Sequence, residues 1–330
     1  DVSGCTQSAN IILTEPQPLT LNMNTTSSTC GFSNGGACVN VIGGSPPYVI
    51  TWNDPNTTVG ACLFNVFAGT YNPVVADANG CTFTMPVVIN DLAGPVIDSV
   101  TSTEVVCAFD SNGTATVFAT GVAPPFTYIW KDNSGNPIDS NVTTTFSLWG
   151  GTYSVTIIDA NGCISGSTII VSEPSALNSA IITSTPTSCN GICDGIATIL
   201  TGGGVTPYSY LWTDGQTTST ALGLCAGTHN IVVTDAKGCT DANQVTIVEP
   251  ASLLIADSTI DVSCFGYTDG AIYTNVTGGT PFYSYSWNPS GGNNSSATNL
   301  SPQTYTVTVN DLNNCIATST VIVNEPAELT

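Results

Sequence analysis

A string of residues repeats along the chain, and that self-similarity constrains the fold more than any single motif. The segment Asp77-Ala-Asn-Gly-Cys81 returns as Asp159-Ala-Asn-Gly-Cys163, Asp235-Ala-Lys-Gly-Cys239 and Asp311-Leu-Asn-Asn-Cys315. An apolar stretch follows each time and ends in Glu173-Pro174, Glu249-Pro250 or Glu325-Pro326; the first copy ends in Asp91 without the proline. The period is 249 − 173 = 76 and 325 − 249 = 76, with one longer copy of 173 − 91 = 82. Each copy opens with a cysteine (Cys30, Cys107, Cys189, Cys264) and a small-residue turn (Asn34-Gly35, Asn112-Gly113, Asp194-Gly195, Asp269-Gly270). A Gly/Pro hinge and an aromatic stretch lead to Trp52, Trp130, Trp212 or Trp287. This reads as four repeats, 20–95, 96–174, 175–250 and 251–326. Residues 1–19 match the last strand of a preceding repeat, and 327–330 the start of a following one.

The pattern inside a repeat is that of strands. Val155-Thr-Ile157, Ile231-Val-Val233 and Val307-Thr-Val309 place β-branched residues in or near alternation, which suits a half-buried sheet. No stretch shows an amphipathic helical period. About seven short strands per repeat, with turn signals every 8–12 residues, predict an all-β tandem array of immunoglobulin-like sandwiches. The tryptophan is the expected core plug, and Tyr71, Tyr153, His229 and Tyr305 occupy one equivalent position as packing aromatics. Short Glu-Pro linkers predict a semi-rigid rod of about 150 Å for four repeats at strand rise.

Composition narrows the function. The chain has 23 acidic residues against two lysines and no arginine, for a net charge of −21. Lys131 and Lys237 stand far apart, so there is no basic surface to neutralise nucleic-acid phosphates or grip a membrane. One histidine and two lysines leave few candidates for acid–base or nucleophilic chemistry. No catalytic residues are expected. No run of 18 apolar residues occurs, and no membrane insertion by this segment is expected.

Thirteen cysteines point to an oxidising, extracellular compartment. The opening and turn cysteines of each copy are 50–56 residues apart, which predicts one disulfide within every repeat: Cys30–Cys81, Cys107–Cys163, Cys189–Cys239 and Cys264–Cys315. The remaining couples predict Cys38–Cys62 and Cys193–Cys225, and leave Cys5 without a partner in the chain. Zinc is the competing reading, but a lone Cys189-x-x-x-Cys193 lacks the second ligand pair such a site needs.

The string Gly-Gly-x-x-Pro-Tyr-x-x-x-Trp, then Ala-Gly-Thr-Tyr-x-Val-x-Val-x-Asp-Ala-Asn-Gly-Cys, then Thr-Ile-x-Glu-Pro, resembles the SprB repeat. That resemblance implies a PKD-like sandwich from a long surface protein of Bacteroidetes. It further implies export by the type IX route and a role as adhesin or filament, in some members for gliding motility. It lends no catalytic residues.

The remaining candidates are few. Asp77, Asp159, Asp235 and Asp311 read first as turn-shaping side chains. Their alternative is a weak calcium site, with Glu173, Glu249 or Glu325 as further oxygen ligands. No other cofactor is expected. Trp149 and Tyr267 occupy positions that the sister copies do not fill with the same aromatic, and are read as a lateral contact or a glycan-stacking surface. The expected function is a structural stalk in a cell-surface adhesin that supplies reach, stiffness and protease resistance. Its partners would be neighbouring repeats or like chains, or surface polysaccharide. Alternatives are a glycan-binding module, a spacer for an enzyme, and a subunit of a self-assembled fibre.

Overall fold

The computed structural model describes residues 2–4 and 6–329, and every regular element in it is a strand. The third repeat shows the plan most simply. Asn178–Thr185, Gly195–Gly202 and Thr220–Leu224 form one antiparallel sheet in that order; Ser209–Trp212, Gly227–Thr234 and Thr240–Ile247 form the other. The inner faces of the two sheets meet on Ile199, Trp212, Leu224, Ile231 and Ile247. Repeats 2 and 4 follow the same order. Repeat 1 keeps it with strands broken into shorter pieces, plus a parallel pair between Ser28–Thr29 and Asp91–Leu92. The repeating unit thus has six principal strands rather than about seven. The longer second repeat alone adds a seventh, Pro137–Ser140, hairpinned onto Thr127–Lys131.

Alternation decides which face is buried. In Gly151–Ile158, Tyr153, Val155 and Ile157 are buried while the residues between them are half-exposed. Each repeat places its tryptophan in the core, and the indole N–H donates to a loop carbonyl: Gly60 (2.9 Å), Val142 (3.0 Å), Thr218 (2.8 Å) and Asn294 (3.0 Å). One partner therefore satisfies the only polar atom of the largest core side chain.

The Asn-Gly and Asp-Gly pairs, read from sequence as turns, have a different physical basis. Gly35, Gly113, Gly195 and Gly270 each begin the second strand of a repeat. A Cβ there would lie 2.6–2.7 Å from a methyl of Ile89, Val171, Ile247 or Val323 on the last strand, and 2.9–3.0 Å from a backbone carbonyl. Close approach of the two sheets, not a left-handed turn, demands glycine.

Contacts divide the chain into two compact units. One comprises residues 1–105 and 110–173; the other comprises Val106–Phe109 with residues 174–330. The three long-range disulfides each lie inside one of these units: Cys30–Cys163 in the first, Cys107–Cys239 and Cys189–Cys315 in the second.

These bonds correct the expected pairing. Cys30–Cys81, Cys107–Cys163, Cys189–Cys239 and Cys264–Cys315 do not form; each opening cysteine with a described partner bonds the turn cysteine of the next repeat. The reason is strand direction. The turn cysteine stands just before the last strand, as Cys163 does before Ile164–Val171. The opening segment is tied to the far end of that strand, through Cys30 N–H to Leu92 O, Val105 N–H to Ser172 O, Thr187 N–H to Val248 O and Val262 N–H to Asn324 O. Eight strand residues span about 25 Å, well beyond the reach of a disulfide. The two cysteines of one repeat therefore sit at opposite ends of their sandwich. Cys38–Cys62 and Cys193–Cys225 bridge within the first sheets of repeats 1 and 3. Cys5 lies outside the described residues.

Gly195→Ala and Gly270→Ala should each destabilise the chain by about 1–3 kcal/mol through overpacking. Gly166→Ala, where a Cβ would meet only Val155 O at 3.4 Å, should be near neutral. Denaturant unfolding monitored by tryptophan fluorescence checks this; equal midpoints for all three would contradict the packing argument.

Candidate functional site

The feature repeated at every junction is a turn aspartate with the cysteine it positions. Asp77, Asp159, Asp235 and Asp311 are all buried. In each, Oδ1 accepts two backbone N–H groups, from the residue two positions on and from the turn cysteine four positions on, at 2.8–2.9 Å. The Asp N–H donates in return to the cysteine carbonyl. The carboxylate thus fixes the backbone from which the sulfur projects.

The second oxygen reaches across the sandwich. Asp77 Oδ2 accepts from Ser45 N–H (3.0 Å), Asp235 Oδ2 from Val205 N–H (2.8 Å) and Asp311 Oδ2 from Thr280 N–H (2.7 Å). These donors follow the Gly-Gly pairs 43–44, 203–204 and 278–279, whose φ values are all positive. A Cβ on Gly44, Gly204 or Gly279 would come within 2.7–3.1 Å of that oxygen. Repeat 2 reads Gly121-Val122-Ala123 instead, and there Asp159 Oδ2 is buried with no protein donor. The loss of the glycine pair and the loss of the third bond coincide.

Burial works against ionisation of Asp77 and Asp235. The backbone donors from Ser45, Cys81 and Asn79, and from Val205, Cys239, Lys237 and Gly238, outweigh it and hold both carboxyls below the usual 3.8. With three N–H groups aimed at each of these carboxylates, their oxygens already serve as acceptors in the turn. Among the described residues no group of three or more His, Cys, Asp or Glu side chains converges as a metal site. Glu249 and Glu325, the other candidate oxygen ligands, accept from Gly191 N–H (2.7 Å) and Gly266 N–H (3.1 Å) in the opening loops. Glu173 packs its side chain against Gly150.

The opening loop and the incoming turn form the junction proper. At Cys189–Cys315 the Cα atoms are 5.7 Å apart; Asn313 Nδ2 donates to Ser188 O (2.9 Å) and to Thr280 Oγ1 (3.0 Å). Ser252 Oγ donates to Asn190 Oδ1 (2.7 Å), and Asn190 Nδ2 to Pro250 O (3.1 Å), which clasps the linker to the same loop. Sequence reasoning missed these clasps, because Asn190 and Ser252 carry no repeated signature.

The other candidates fall as follows. Tyr71, Tyr153 and Tyr305 donate their hydroxyls to the carbonyl four residues back, and His229 Nε2 lies 2.9 Å from the equivalent Cys225 O. Tyr48, Tyr208 and Tyr283 make a further cross-loop bond to Gly43, Gly203 and Gly278. In the fourth repeat Tyr283, not the exposed Phe282, holds this position, one residue later than the proline spacing of its sisters implies. Trp149 and Tyr267 are 55% and 56% exposed and belong to no core. Trp149 lines a groove with Phe146, Ile138, Asp132 and Asp139; Tyr267 stands in the opening loop of repeat 4.

Asp77 and Asp235 have folded-state pKa values below their unfolded ones. Their stabilisation is therefore present above about pH 4 and is lost as pH falls through the folded values. Melting temperature should be flat from neutral pH to about pH 5 and drop below pH 4. The double variant Asp77→Asn, Asp235→Asn should melt lower at pH 7 and lose less on acidification. Parallel acid profiles for the two proteins would contradict this role.

No curated protein matches the chain. Among solved structures it is similar to an I-band fragment from titin, 12% identical over 72% of this chain and 99% of that one, with TM-score 0.35. It is also similar to the N-terminal eight immunoglobulin domains of Down Syndrome Cell Adhesion Molecule, 13% identical over 94% and 49% of the two chains, TM-score 0.35. The SprB repeat family model matches residues 99–135, 181–217 and 256–292, each match ending just past the core tryptophan. The second, third and fourth repeats of the chain thus each carry a match to the SprB repeat, in their first halves.

Proposed function

We propose that the chain is a tension-carrying stalk segment of a secreted cell-surface adhesin. SprB repeats are cell-surface modules, and five disulfides require an oxidising compartment. One observation carries the mechanical reading: the long disulfides join successive repeats and overlap, spanning 133, 132 and 126 residues.

Overlap changes what force can do. A single immunoglobulin-like domain pulled from its ends unfolds and releases its whole contour. Here the shortest covalent path crosses from Cys30 to Cys163, runs 189 − 163 = 26 residues, and crosses from Cys189 to Cys315. Cys107–Cys239 bridges that middle stretch as a parallel strut. The residues between bridgeheads lie off the load path, so an unfolded repeat adds almost no length and refolds while tethered. Proteases meet the same obstacle: only Lys131 and Lys237 offer tryptic cuts, and one nick leaves the pieces joined. The functional residues in this reading are the six bridging cysteines and the four turn aspartates.

A second reading rests on the groove at Trp149. Exposed Trp149 and Phe146 beside Asp132 and Asp139 combine aromatic faces with hydrogen-bond acceptors, a chemistry suited to sugar rings. Binding of polysaccharide by the chain, lost in Trp149→Ala, would favour it.

Single-molecule stretching from the two termini tests the stalk. The reduced chain should show unfolding steps of about 250 Å per repeat, the extended length of some 76 residues. The oxidised chain should show no such steps between Cys30 and Cys315. Full-length steps in the oxidised chain would overturn the proposal.

A further inference from the structure

The groove beside Trp149 belongs to repeat 2 and comes from a displaced turn. In repeat 3 the chain turns back at the core tryptophan itself: Trp212 N–H donates to Gln216 O (3.0 Å) and Gly215 N–H to Trp212 O (2.9 Å). In repeat 2 the same turn begins at Asp132 rather than at Trp130, with Asp132 N–H to Asn136 O (3.0 Å) and Gly135 N–H to Asp132 O (3.0 Å). The displacement adds Pro137–Ser140 as an edge strand of one sheet, while Thr144–Leu148 is an edge strand of the other. Residues of both edges line a groove of about 470 Å³.

Repeat 3 shows what this place holds when the chain fills it. The strands Thr144–Leu148 and Thr220–Leu224 share one register: Ala115↔Thr145 and Thr116↔Thr144 match Ala197↔Ala221 and Thr198↔Thr220. Ser147 and Gly223 both have positive φ, 58° and 68°. Phe146 is therefore the counterpart of Leu222, and its backbone N–H and C=O point off the sheet edge as those of Leu222 do. In repeat 3 the Gln216 carboxamide covers that edge. Leu222 N–H donates to Gln216 Oε1 (3.0 Å), and Gln216 Nε2 donates to Leu222 O (2.8 Å) and to Asp214 Oδ2 (2.6 Å). In repeat 2 the carboxamide of the turn, Asn136, donates to Asp132 instead (3.1 Å). Phe146 lies outside the ladder, and among the described residues its N–H and C=O have no partner.

The floor of the groove departs from the sister repeats as well. Thr145, only 2% exposed, takes the core position of Leu63, Ala221 and Ala297. Its hydroxyl makes no hydrogen bond among the described residues, and a polar group so placed costs stability until something pairs with it. Asp139 Oδ1 accepts from Ser140 N–H (2.9 Å), and its Oδ2 accepts from no described residue. The exposed rings of Phe146 and Trp149 complete the lining. A free hydroxyl, a free carboxylate oxygen, an unpaired N–H and C=O and two aromatic rings thus share one concave place.

We propose that this groove binds neutral hexose polysaccharide, with two adjacent ring hydroxyls in the place that the Gln216 carboxamide takes in repeat 3. One hydroxyl accepts from Phe146 N–H and its neighbour donates to Phe146 O. A further hydroxyl donates to Asp139 Oδ2, and the C–H face of the ring lies on Trp149. One pyranose ring supplies all of these groups. A carboxamide from a partner protein would satisfy Phe146 and leave Asp139, Thr145 and Trp149 without partners. Charge sets the class. Asp132 and Asp139 line the groove with no lysine or histidine, and the chain has no arginine, so a uronate or sulfated sugar would meet repulsion that no cation relieves. A second copy of the chain, with its own charge of −21, fails as occupant for the same reason. This specificity rests on the groove binding sugar at all.

The test titrates the full oxidised chain calorimetrically with hexamers of β-1,3-glucose, β-1,4-mannose, β-1,4-galactose and galacturonic acid, and with a capped glycyl-glutaminyl-glycine peptide. At least one neutral hexamer should bind, and the galacturonate hexamer should not. Trp149→Ala and Asp139→Asn should each weaken the neutral hexamer by about tenfold. Thr145→Ala should weaken it less and stay folded, because Ala221 and Ala297 hold that position in the sister repeats. Circular dichroism checks the fold of every variant. In the amide NMR spectrum the Phe146 resonance should shift as the neutral hexamer saturates. Trp149-dependent binding of the galacturonate hexamer as tight as that of the neutral ones would leave a sugar site standing and overturn its neutral class. No binding by any hexamer would overturn both. Neutral binding that survives Trp149→Ala with the Phe146 resonance unmoved would put the sugar elsewhere and overturn the assignment, as would tighter binding of the glutamine peptide than of any hexamer.

Discussion

The direction of the last strand in each repeat governs the rest of the architecture. It carries the chain from the turn cysteine at one end of the sandwich to the opening loop at the other. That separates the two cysteines of a repeat by the length of the strand and turns a bond within a repeat into a bond between repeats. The turn aspartate makes the arrangement precise by fixing the cysteine N–H, and in repeats 1, 3 and 4 it also draws the residue after the Gly-Gly hinge onto the same carboxylate. Each junction is then a covalent bond set between two hydrogen-bonded loops.

Energetics favour this division of labour. A repeat of this size has a small core and a correspondingly thin margin of stability. A bridge that closes about 130 residues contributes roughly 5 kcal/mol in the chain-entropy model, an upper figure here because the loops overlap. The within-sheet bridges Cys38–Cys62 and Cys193–Cys225 close 24 and 32 residues and act on one repeat each. The long bridges make the stability of neighbours interdependent, which suits a part that must not come apart one unit at a time. The acidic surface, with few counter-charges, leaves hydrogen bonds and sulfur to do what ion pairs do elsewhere.

Much of this was legible in the sequence. The repeat, the all-β sandwich and the core tryptophans followed from periodicity and turn residues, since these depend on local chemistry. The glycine at 35, 113, 195 and 270 was visible but misread, because a close approach of two sheets leaves the same letters as a turn. The cysteine partnership was not legible from spacing. One opening and one turn cysteine per repeat satisfy both schemes equally, and only the length and direction of the intervening strand tells them apart. A calculation of that strand's reach was the available signal. Tyr283 shows the same limit on a smaller scale: the one-residue shift after Pro281 breaks the proline spacing but preserves the four-residue step to Trp287 that the sheet requires.

The measurement closest to the central claim is the disulfide map of the oxidised chain, by peptide mass spectrometry after acidic, non-reducing digestion with a protease that does not depend on lysine. Peptides that join Cys30 to Cys163, Cys107 to Cys239 and Cys189 to Cys315 are the predicted result. Peptides that join Cys30 to Cys81, Cys107 to Cys163 and Cys189 to Cys239 would contradict it and return each repeat to a self-contained domain.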